Sequence, residues 1–131
     1  MGKNVSKEQM GKLPYIIAVD FDGTLVEDAF PEIGRPIEKT WELARKAQDA
    51  GAKLILWTSR DGHNLEAAIR FCNESELFFD AINENLPECQ ALFNNDTRKV
   101  YANEYWDDKA VPRFSSVHSF LDLPPEEEPW Q

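Results

Sequence analysis

Short apolar runs alternate with longer amphipathic stretches along the central part of the chain. Three runs of strand length lie at 15–19, 53–57 and 77–82, and the first is rich in β-branched residues. Continuous apolar runs of this kind are typical of strands buried on both faces of a parallel sheet. A fourth run, at 100–106, is interrupted by polar residues and predicts a less regular strand.

Two amphipathic stretches separate the first three runs and predict helices. The first begins after Pro36, a residue suited to the first turn of a helix, and ends at Gly51, a typical C-terminal cap. Its apolar positions recur at helical spacing, and we expect its Trp41 to pack in the core rather than to bind a ligand. The apolar positions of the second helix are Leu65, Ala68, Ile69 and Cys72. This alternation of strands and helices predicts an α/β fold with a central parallel sheet and right-handed crossovers.

The flanking segments differ in composition from this core. Residues 1–12 form a polar N-terminal arm without the apolar centre of a signal peptide, and residues 113–131 form an acidic, proline-rich tail. The intervening residues 13–112 predict one domain. Within it, residues 83–97 are polar and predict a loop with about one helical turn. Residues 26–36 contain two prolines and a glycine, which is typical of a flap rather than of a long element.

Composition narrows the class of protein. Of the 131 residues, 42% are hydrophobic and 29% are charged, as in an ordinary soluble domain. A net charge of −10 argues against a nucleic-acid partner, because nucleic-acid-binding surfaces are basic. No apolar stretch has the length of a membrane span, so we expect no membrane partner. Cys72 and Cys89 do not form a Cys-x-x-Cys pair, and we interpret them as reduced thiols of a cytoplasmic protein.

Two carboxylates follow the first predicted strand. Asp20 and Asp22 lie at its carboxyl end, where ligands bind in open α/β sheets, and Gly23 follows where the chain must turn. If strand pairing continues through Asp22, both side chains point to one side of the sheet. Two acids so close repel each other and require a cation or a retained proton. The alternative is an ordinary turn, in which Asp and Gly are common.

Other polar residues recur where the predicted strands end. A threonine ends the second strand, a lysine precedes the fourth and an acidic pair follows it: Thr58, Lys99, Asp107 and Asp108. Together with the stretch at 20–25, Asp-Phe-Asp-Gly-Thr-Leu, this order resembles the four motifs of the haloacid dehalogenase-like (HAD) hydrolase superfamily, most of whose members are phosphatases. The resemblance covers about residues 14–110. Within the superfamily, the runs at 31–34 and 54–60 resemble a group of small, sometimes phage-associated hydrolases.

The resemblance implies a three-layer, Rossmann-like HAD fold with a central parallel sheet. Many members of the superfamily carry an additional cap domain. The intervals after Asp22 and after Thr58 are too short to hold one, so we expect a capless protein. The flap at 26–35, with its apolar Phe30, is then the only candidate lid.

The resemblance also implies catalytic roles. Asp20 would be the nucleophile that forms an aspartyl-phosphate, and Asp22 would protonate the leaving oxygen and then accept a proton from water. Thr58 would donate a hydrogen bond to a phosphoryl oxygen, and Lys99 would neutralise charge between Asp20 and the phosphate. Lys109 is the weaker alternative to Lys99 for this cationic role.

The cofactor implied by the resemblance is Mg²⁺, which prefers oxygen ligands and several waters. Asp20, the main-chain carbonyl of Asp22 and an acidic side chain at 107 or 108 would hold it. We favour Asp108 as the direct ligand, with Asp107 behind it.

Substrate contacts are expected from residues beside these motifs, namely Gly23, Ser59 and Arg60, although a surface ion pair is an equal alternative for Arg60. The expected reaction is Mg²⁺-dependent hydrolysis of a phosphomonoester through an aspartyl-phosphate. The alternatives are a non-catalytic phosphate- or protein-binding domain and a nucleic-acid end-processing phosphatase. Without a cap, we expect weak and broad activity on phosphorylated small molecules, with any preference set by the flap or by a homo-oligomer.

Overall fold

The central feature of the computed structural model, which describes residues 13–93 and 100–107, is a parallel β-sheet. Its strands are β1 (Ile16–Val19), β2 (Lys53–Leu56), β3 (Ala81–Ile82) and β4 (Glu104–Trp106). They lie in the order β3-β2-β1-β4, and every pair is parallel. The helices are α1 (Glu38–Asp49), α2 (Gly62–Glu74) and α3 (Pro87–Phe93). The predicted α/β, Rossmann-like fold is confirmed.

Strand β1 lies in the middle of the sheet and is buried along its whole length. Its residue Ile17 pairs with Leu54 of β2 on one side and with Glu104 of β4 on the other. A central strand is covered on both faces, which is why its sequence is continuously apolar rather than alternating.

Helix α1 packs through the apolar face that its sequence predicts. Its buried residues are Thr40, Trp41, Leu43, Ala44 and Ala47. Trp41 is 2% exposed, and its indole Nε1 donates a hydrogen bond of 2.7 Å to the Leu25 carbonyl. The expected core role of Trp41 is therefore confirmed. Gly51, with φ of +104°, follows the C-cap Ala50, in the left-handed conformation that favours glycine after a helix.

The helices cover both faces of the sheet. Residues of α1 and α2 pack with Ile17, Val19, Leu54 and Leu56 in one core cluster. On the opposite face, Cys89 of α3 packs in a second cluster with Ile16, Ala18 and Ile55. Right-handed crossovers require this arrangement, because α1 and α2 each connect one strand to the next in one direction, whereas α3 lies on the return path. The result is three layers.

Strand β3 is shorter than the predicted 77–82. The main-chain N–H of Asp80 donates to the Leu54 carbonyl, and the Asp80 carboxylate accepts the Leu54 N–H at 2.8 Å. The Asp80 side chain therefore accepts the Leu54 N–H, which a backbone carbonyl would accept if β3 began earlier. In the segment 83–97, the expected single turn is the longer helix α3, which begins at Pro87 as such helices can.

The predicted arm at 1–12 and the tail at 113–131 lie outside the described residues. Across 13–93 and 100–107, no helix is both long and apolar enough to cross a bilayer. Between α1 and β1, residues 26–36 contain no helix or strand, as expected for the flap, although Val26 bridges to Asp22 and to Pro36.

Candidate functional site

Asp20 lies at the centre of the carboxyl edge of the sheet. Its N–H donates to the Trp106 carbonyl, and the Trp57 N–H donates to the Val19 carbonyl, both at 2.9 Å. Parallel hydrogen bonding therefore continues one residue beyond the strands. The register places Asp20 between Trp57 on the β2 side and Asp107 on the β4 side.

This part of the edge is also where the direction of the chain reverses. From β1 the chain proceeds to β2 and β3, and then returns to place β4 on the other side of β1. Open α/β sheets bind ligands at such a switch point, outside the carboxyl ends of the strands. Asp20 and Asp107 stand on its two sides.

A cleft of about 350 Å³ opens at this position. Its lining residues are Asp20, Trp57, Thr58, Ser59 and Asp107. The fold thus brings together four residues that the sequence nominated from three separate segments. Lys99, Asp108 and the alternative cation Lys109 lie outside the described residues.

The two cleft carboxylates suit a hard cation. Asp20 and Asp107 follow adjacent strands at the same level of the sheet. Neighbouring strands are about 4.8 Å apart. One oxygen of Asp20, Oδ1, accepts the Phe21 N–H at 2.8 Å. Mg²⁺ is commonly held by one or two carboxylates together with waters, so this donor set fits it. Within 13–93 and 100–107, no group of three or more His, Cys, Asp or Glu residues forms a fuller metal site.

Thr58 is held in place by its neighbours. Its N–H donates to the Asn83 side-chain Oδ1 at 2.8 Å, and its own Oγ1 accepts the Arg60 N–H at 3.1 Å. Asn83 follows β3 with φ of +55°, a left-handed conformation that Asn tolerates, and its N–H donates to the Leu56 carbonyl. The Thr58 hydroxyl accepts this bond through a lone pair, so its single proton is available to donate to a ligand.

Arg60 binds Asp22 rather than the cleft. Its Nε donates to Asp22 Oδ2 and its Nη2 donates to Asp22 Oδ1, each at 2.7 Å. A fork of this kind is the strongest geometry for a carboxylate pair. The remaining N–H groups donate to three main-chain carbonyls, those of Pro31, Glu32 and Asn64.

The environment of Arg60 is enclosed. Its side chain has no exposed surface, and its guanidinium carbon lies 5.0 Å from the ring centroids of both Phe21 and Phe30. The pKa of Arg60 is raised above its ordinary value, chiefly because Asp22 accepts its hydrogen bonds. Burial opposes this rise, and the charges of Asp22, Asp28 and Glu32 add to it.

Two expectations concern this pair. Arg60 forms the ion pair that was one of its two alternatives, but the pair is buried rather than at the surface, and its five N–H donors are all engaged. Its expected contact with substrate stays a prediction. Asp22 was expected to lie on the same side as Asp20 if the strand continued. The strand ends at Val19, and the Phe21 carbonyl accepts the N–H groups of the next turn, so Asp22 leaves the sheet and meets Arg60.

Gly23 belongs to this turn. Its φ is +85°, which favours glycine, and its N–H donates to the Val26 carbonyl at 2.7 Å. Gly23 does not line the cleft that contains Asp20. Its expected role as a substrate contact stays a prediction.

The flap closes on itself through its two ends. The Glu27 N–H donates to the Arg35 carbonyl at 2.8 Å. A Cβ on Gly34 would lie 1.9 Å from the Glu27 carbonyl oxygen, so only glycine fits this close approach. At the tip, Phe30 is 53% exposed.

Two residues of the site were not nominated from the sequence. Trp57 was interpreted as the end of an apolar strand, and its position directly before Thr58 was the signal that it borders the cleft. Asn83 was assigned to a loop, and no local pattern indicates that its side chain supports Thr58. Its contact is long-range and arises only when β2 and β3 pair.

The comparison with solved structures gives one informative relative. The chain is similar to a structure described as "the conserved protein coded by locus from Bacteroides thetaiotaomicron", with 39% sequence identity and a TM-score of 0.65. The match covers 76% of this chain and 79% of that chain. The chain belongs to the family of this conserved protein. Neither a family model nor a curated protein sequence matches the chain.

Proposed function

We propose that the protein is a capless, HAD-type, Mg²⁺-dependent phosphatase that hydrolyses phosphomonoesters of small molecules in the cytoplasm. The observation that carries the proposal is the cleft at the switch point, where Asp20, Thr58 and Asp107 converge from three strands. An acidic nucleophile, a hydroxyl donor and a second acid meet the needs of phosphoryl transfer, which consist mainly of positioning and charge stabilisation.

The chain's own residues supply the covalent step. A carboxylate oxygen of Asp20 attacks phosphorus, the bond from phosphorus to the leaving oxygen breaks, and the leaving oxygen takes a proton from Asp22. Water then attacks the aspartyl-phosphate, Asp22 takes its proton, and inorganic phosphate leaves Asp20. The Thr58 hydroxyl donates to a phosphoryl oxygen in both steps.

The metal would be held by Asp20, the main-chain carbonyl of Asp22 and an acid at 107 or 108. Asp107 lines the cleft, and Asp108 is the direct ligand that the resemblance favours. When bound, Mg²⁺ supplies positive charge that lowers the repulsion between the substrate phosphate and the cleft carboxylates. Lys99 would add charge beside Asp20, as the resemblance implies.

A second candidate is a phosphate-binding domain without turnover. It is favoured by one observation, the engagement of both Asp22 carboxylate oxygens by Arg60. In that case the Asp22 carboxylate anchors Arg60, and through it the flap, and transfers no proton.

A panel of phosphorylated metabolites and aryl phosphates, assayed with Mg²⁺, tests the proposal. We expect release of inorganic phosphate that stops when a chelator is added. Binding of the same compounds, measured by calorimetry, without any phosphate release would instead support the second candidate. Neither release nor binding across the panel would contradict both.

A further inference from the structure

One buried side chain, that of Arg60, connects three elements that are distant in the sequence. It binds the Asp22 carboxylate after β1, the carbonyls of Pro31 and Glu32 in the flap, and the Asn64 carbonyl in the first turn of α2. Since these bonds use all of its donors, Arg60 cannot bind a ligand without releasing one of these elements.

Arg60 binds the middle of the flap, through the carbonyls of Pro31 and Glu32. The ring centroids of Phe30 and Phe21 each lie 5.0 Å from the guanidinium carbon. Phe21 is fully buried, whereas Phe30 is 53% exposed. The guanidinium thus lies against one aromatic ring of the core and one aromatic ring at the tip of the flap.

We infer that Arg60 is a positioning residue that couples the flap at 26–35 to the orientation of the Asp22 carboxylate. The inference rests on the proposed function, in which Asp22 transfers protons. Each carboxylate oxygen has two lone pairs, so the pairing with Arg60 leaves one on each oxygen for a proton. The fork fixes the plane of the carboxylate, and the flap carbonyls fix the fork.

Arginine is required for this role because its N–H groups donate in several directions at once. The planar fork meets the two Asp22 oxygens while its outer N–H groups reach the carbonyls of Pro31, Glu32 and Asn64. Lysine offers a point charge that preserves the attraction to Asp22 but neither the bidentate geometry nor the attachment of the flap. Arg60→Lys therefore keeps the positive charge beside Asp22 while removing the positioning of its carboxylate.

The matched control is Arg45→Lys. Arg45 also lies over an aromatic ring, that of Trp41 at 5.5 Å, and donates to a main-chain carbonyl, that of Ser75 at 2.7 Å. It touches neither Asp22 nor the flap, so its replacement reports the general effect of losing such contacts.

The first measurement compares kcat/KM for an alkyl phosphomonoester with that for p-nitrophenyl phosphate. An alkoxide leaving group needs a proton, whereas nitrophenolate leaves readily without one. For Arg60→Lys we expect kcat/KM to fall about tenfold further on the alkyl substrate than on the aryl one. A loss of correctly folded protein would lower both equally, and Arg45→Lys should leave their ratio unchanged.

The second measurement follows the flap by hydrogen exchange. The Glu27 amide, bonded to the Arg35 carbonyl, should exchange about tenfold faster in Arg60→Lys than in the parent or in Arg45→Lys. The reverse direction of the coupling is tested by Gly34→Ala, which forces positions 27 and 34 of the flap apart and changes neither Arg60 nor Asp22. It should lower the alkyl-to-aryl ratio about threefold or more.

These outcomes separate the inference from the proposed function. Equal losses on both substrates would overturn the positioning of Asp22, and unchanged Glu27 exchange in Arg60→Lys would overturn the attachment of the flap. An unchanged ratio in Gly34→Ala would overturn their coupling. If the parent hydrolyses neither substrate, the proposed function fails, and with it the role in proton transfer, while the exchange measurement still decides the attachment.

Discussion

Arg60 and Asp22, 38 positions apart, form a buried bidentate ion pair in which both hydrogen bonds are 2.7 Å long. The Arg60 side chain is fully buried and the Asp22 side chain is 17% exposed. Burying such a pair costs desolvation, so its net contribution to stability is small, but a single partner left behind is costly. The pair therefore fixes the arrangement of the turn after β1 and of the flap.

Asp22→Asn tests this arrangement through stability. The substitution keeps the shape of the side chain but leaves a buried guanidinium without its counter-charge, so we expect the free energy of unfolding to fall by about 3 kcal/mol. Urea denaturation followed by fluorescence measures it. As the control, Asp49→Asn alters an exposed acid at the end of α1 and should stay within about 0.5 kcal/mol of the parent. A loss below about 1 kcal/mol for Asp22→Asn would show that Arg60 does not depend on this partner.

We expect Mg²⁺ binding to depend on the cleft carboxylates. Asp107 follows β4 beside Asp20, so removing its charge should weaken Mg²⁺ affinity about tenfold or more. Calorimetric titration of Asp107→Asn measures this, with Asp49→Asn as the control that should bind as the parent does. The resemblance predicts a still larger loss for Asp108→Asn, so the two variants together identify the direct ligand. If neither Asp107→Asn nor Asp108→Asn changed the Mg²⁺ affinity, the metal would not bind at this edge of the sheet.

Alkaline stability depends on Cys72. Burial raises the pKa of its thiol from 9.0 to about 12. Above pH 9 the unfolded chain releases this proton and the folded chain keeps it, so the free energy of unfolding falls as pH rises toward 12. The Cys72 contribution to this fall is about 1.4 kcal/mol per pH unit.

Comparison with Cys72→Ala isolates this contribution. The variant should be less stable at pH 7, because it leaves a cavity in the core, but its stability should decline less steeply between pH 9 and pH 11. Denaturant unfolding at several pH values measures both slopes. Equal slopes of the free energy of unfolding against pH for the parent and for Cys72→Ala would contradict the role of Cys72.

Local patterns in the sequence predicted much of the fold. The apolar run before Asp20 predicted β1, and helical spacing with Gly51 predicted α1 and its end, because burial and backbone conformation restrict these positions locally. Strand β3 was predicted too long because the Asp80 side chain hydrogen-bonds to the main chain of β2, a contact that depends on the neighbouring strand. When a side chain takes the place of a backbone hydrogen-bond partner in this way, the periodic pattern of apolar residues gives no sign of it.

The same distinction holds at the candidate site. Asp20, Thr58 and Asp107 could be nominated because each follows a strand, and parallel strands bring their carboxyl ends to one edge. The partner of Asp22 could not, because an arginine two positions after Thr58 serves a ligand, solvent or a carboxylate equally well by sequence. Only the folded flap, with its carbonyls of Pro31 and Glu32, determines which of these Arg60 contacts.

Phosphate release by the parent and by Asp20→Asn, measured with Mg²⁺ on the most rapidly hydrolysed phosphomonoester, tests the account most directly. Asparagine retains the Oδ1 that accepts the Phe21 N–H, so the melting temperature should match that of the parent. It cannot form the aspartyl-phosphate, so we expect turnover to be abolished in Asp20→Asn and preserved in Asp49→Asn. Turnover by a folded Asp20→Asn protein within about tenfold of the parent would contradict the assignment of Asp20 as the nucleophile.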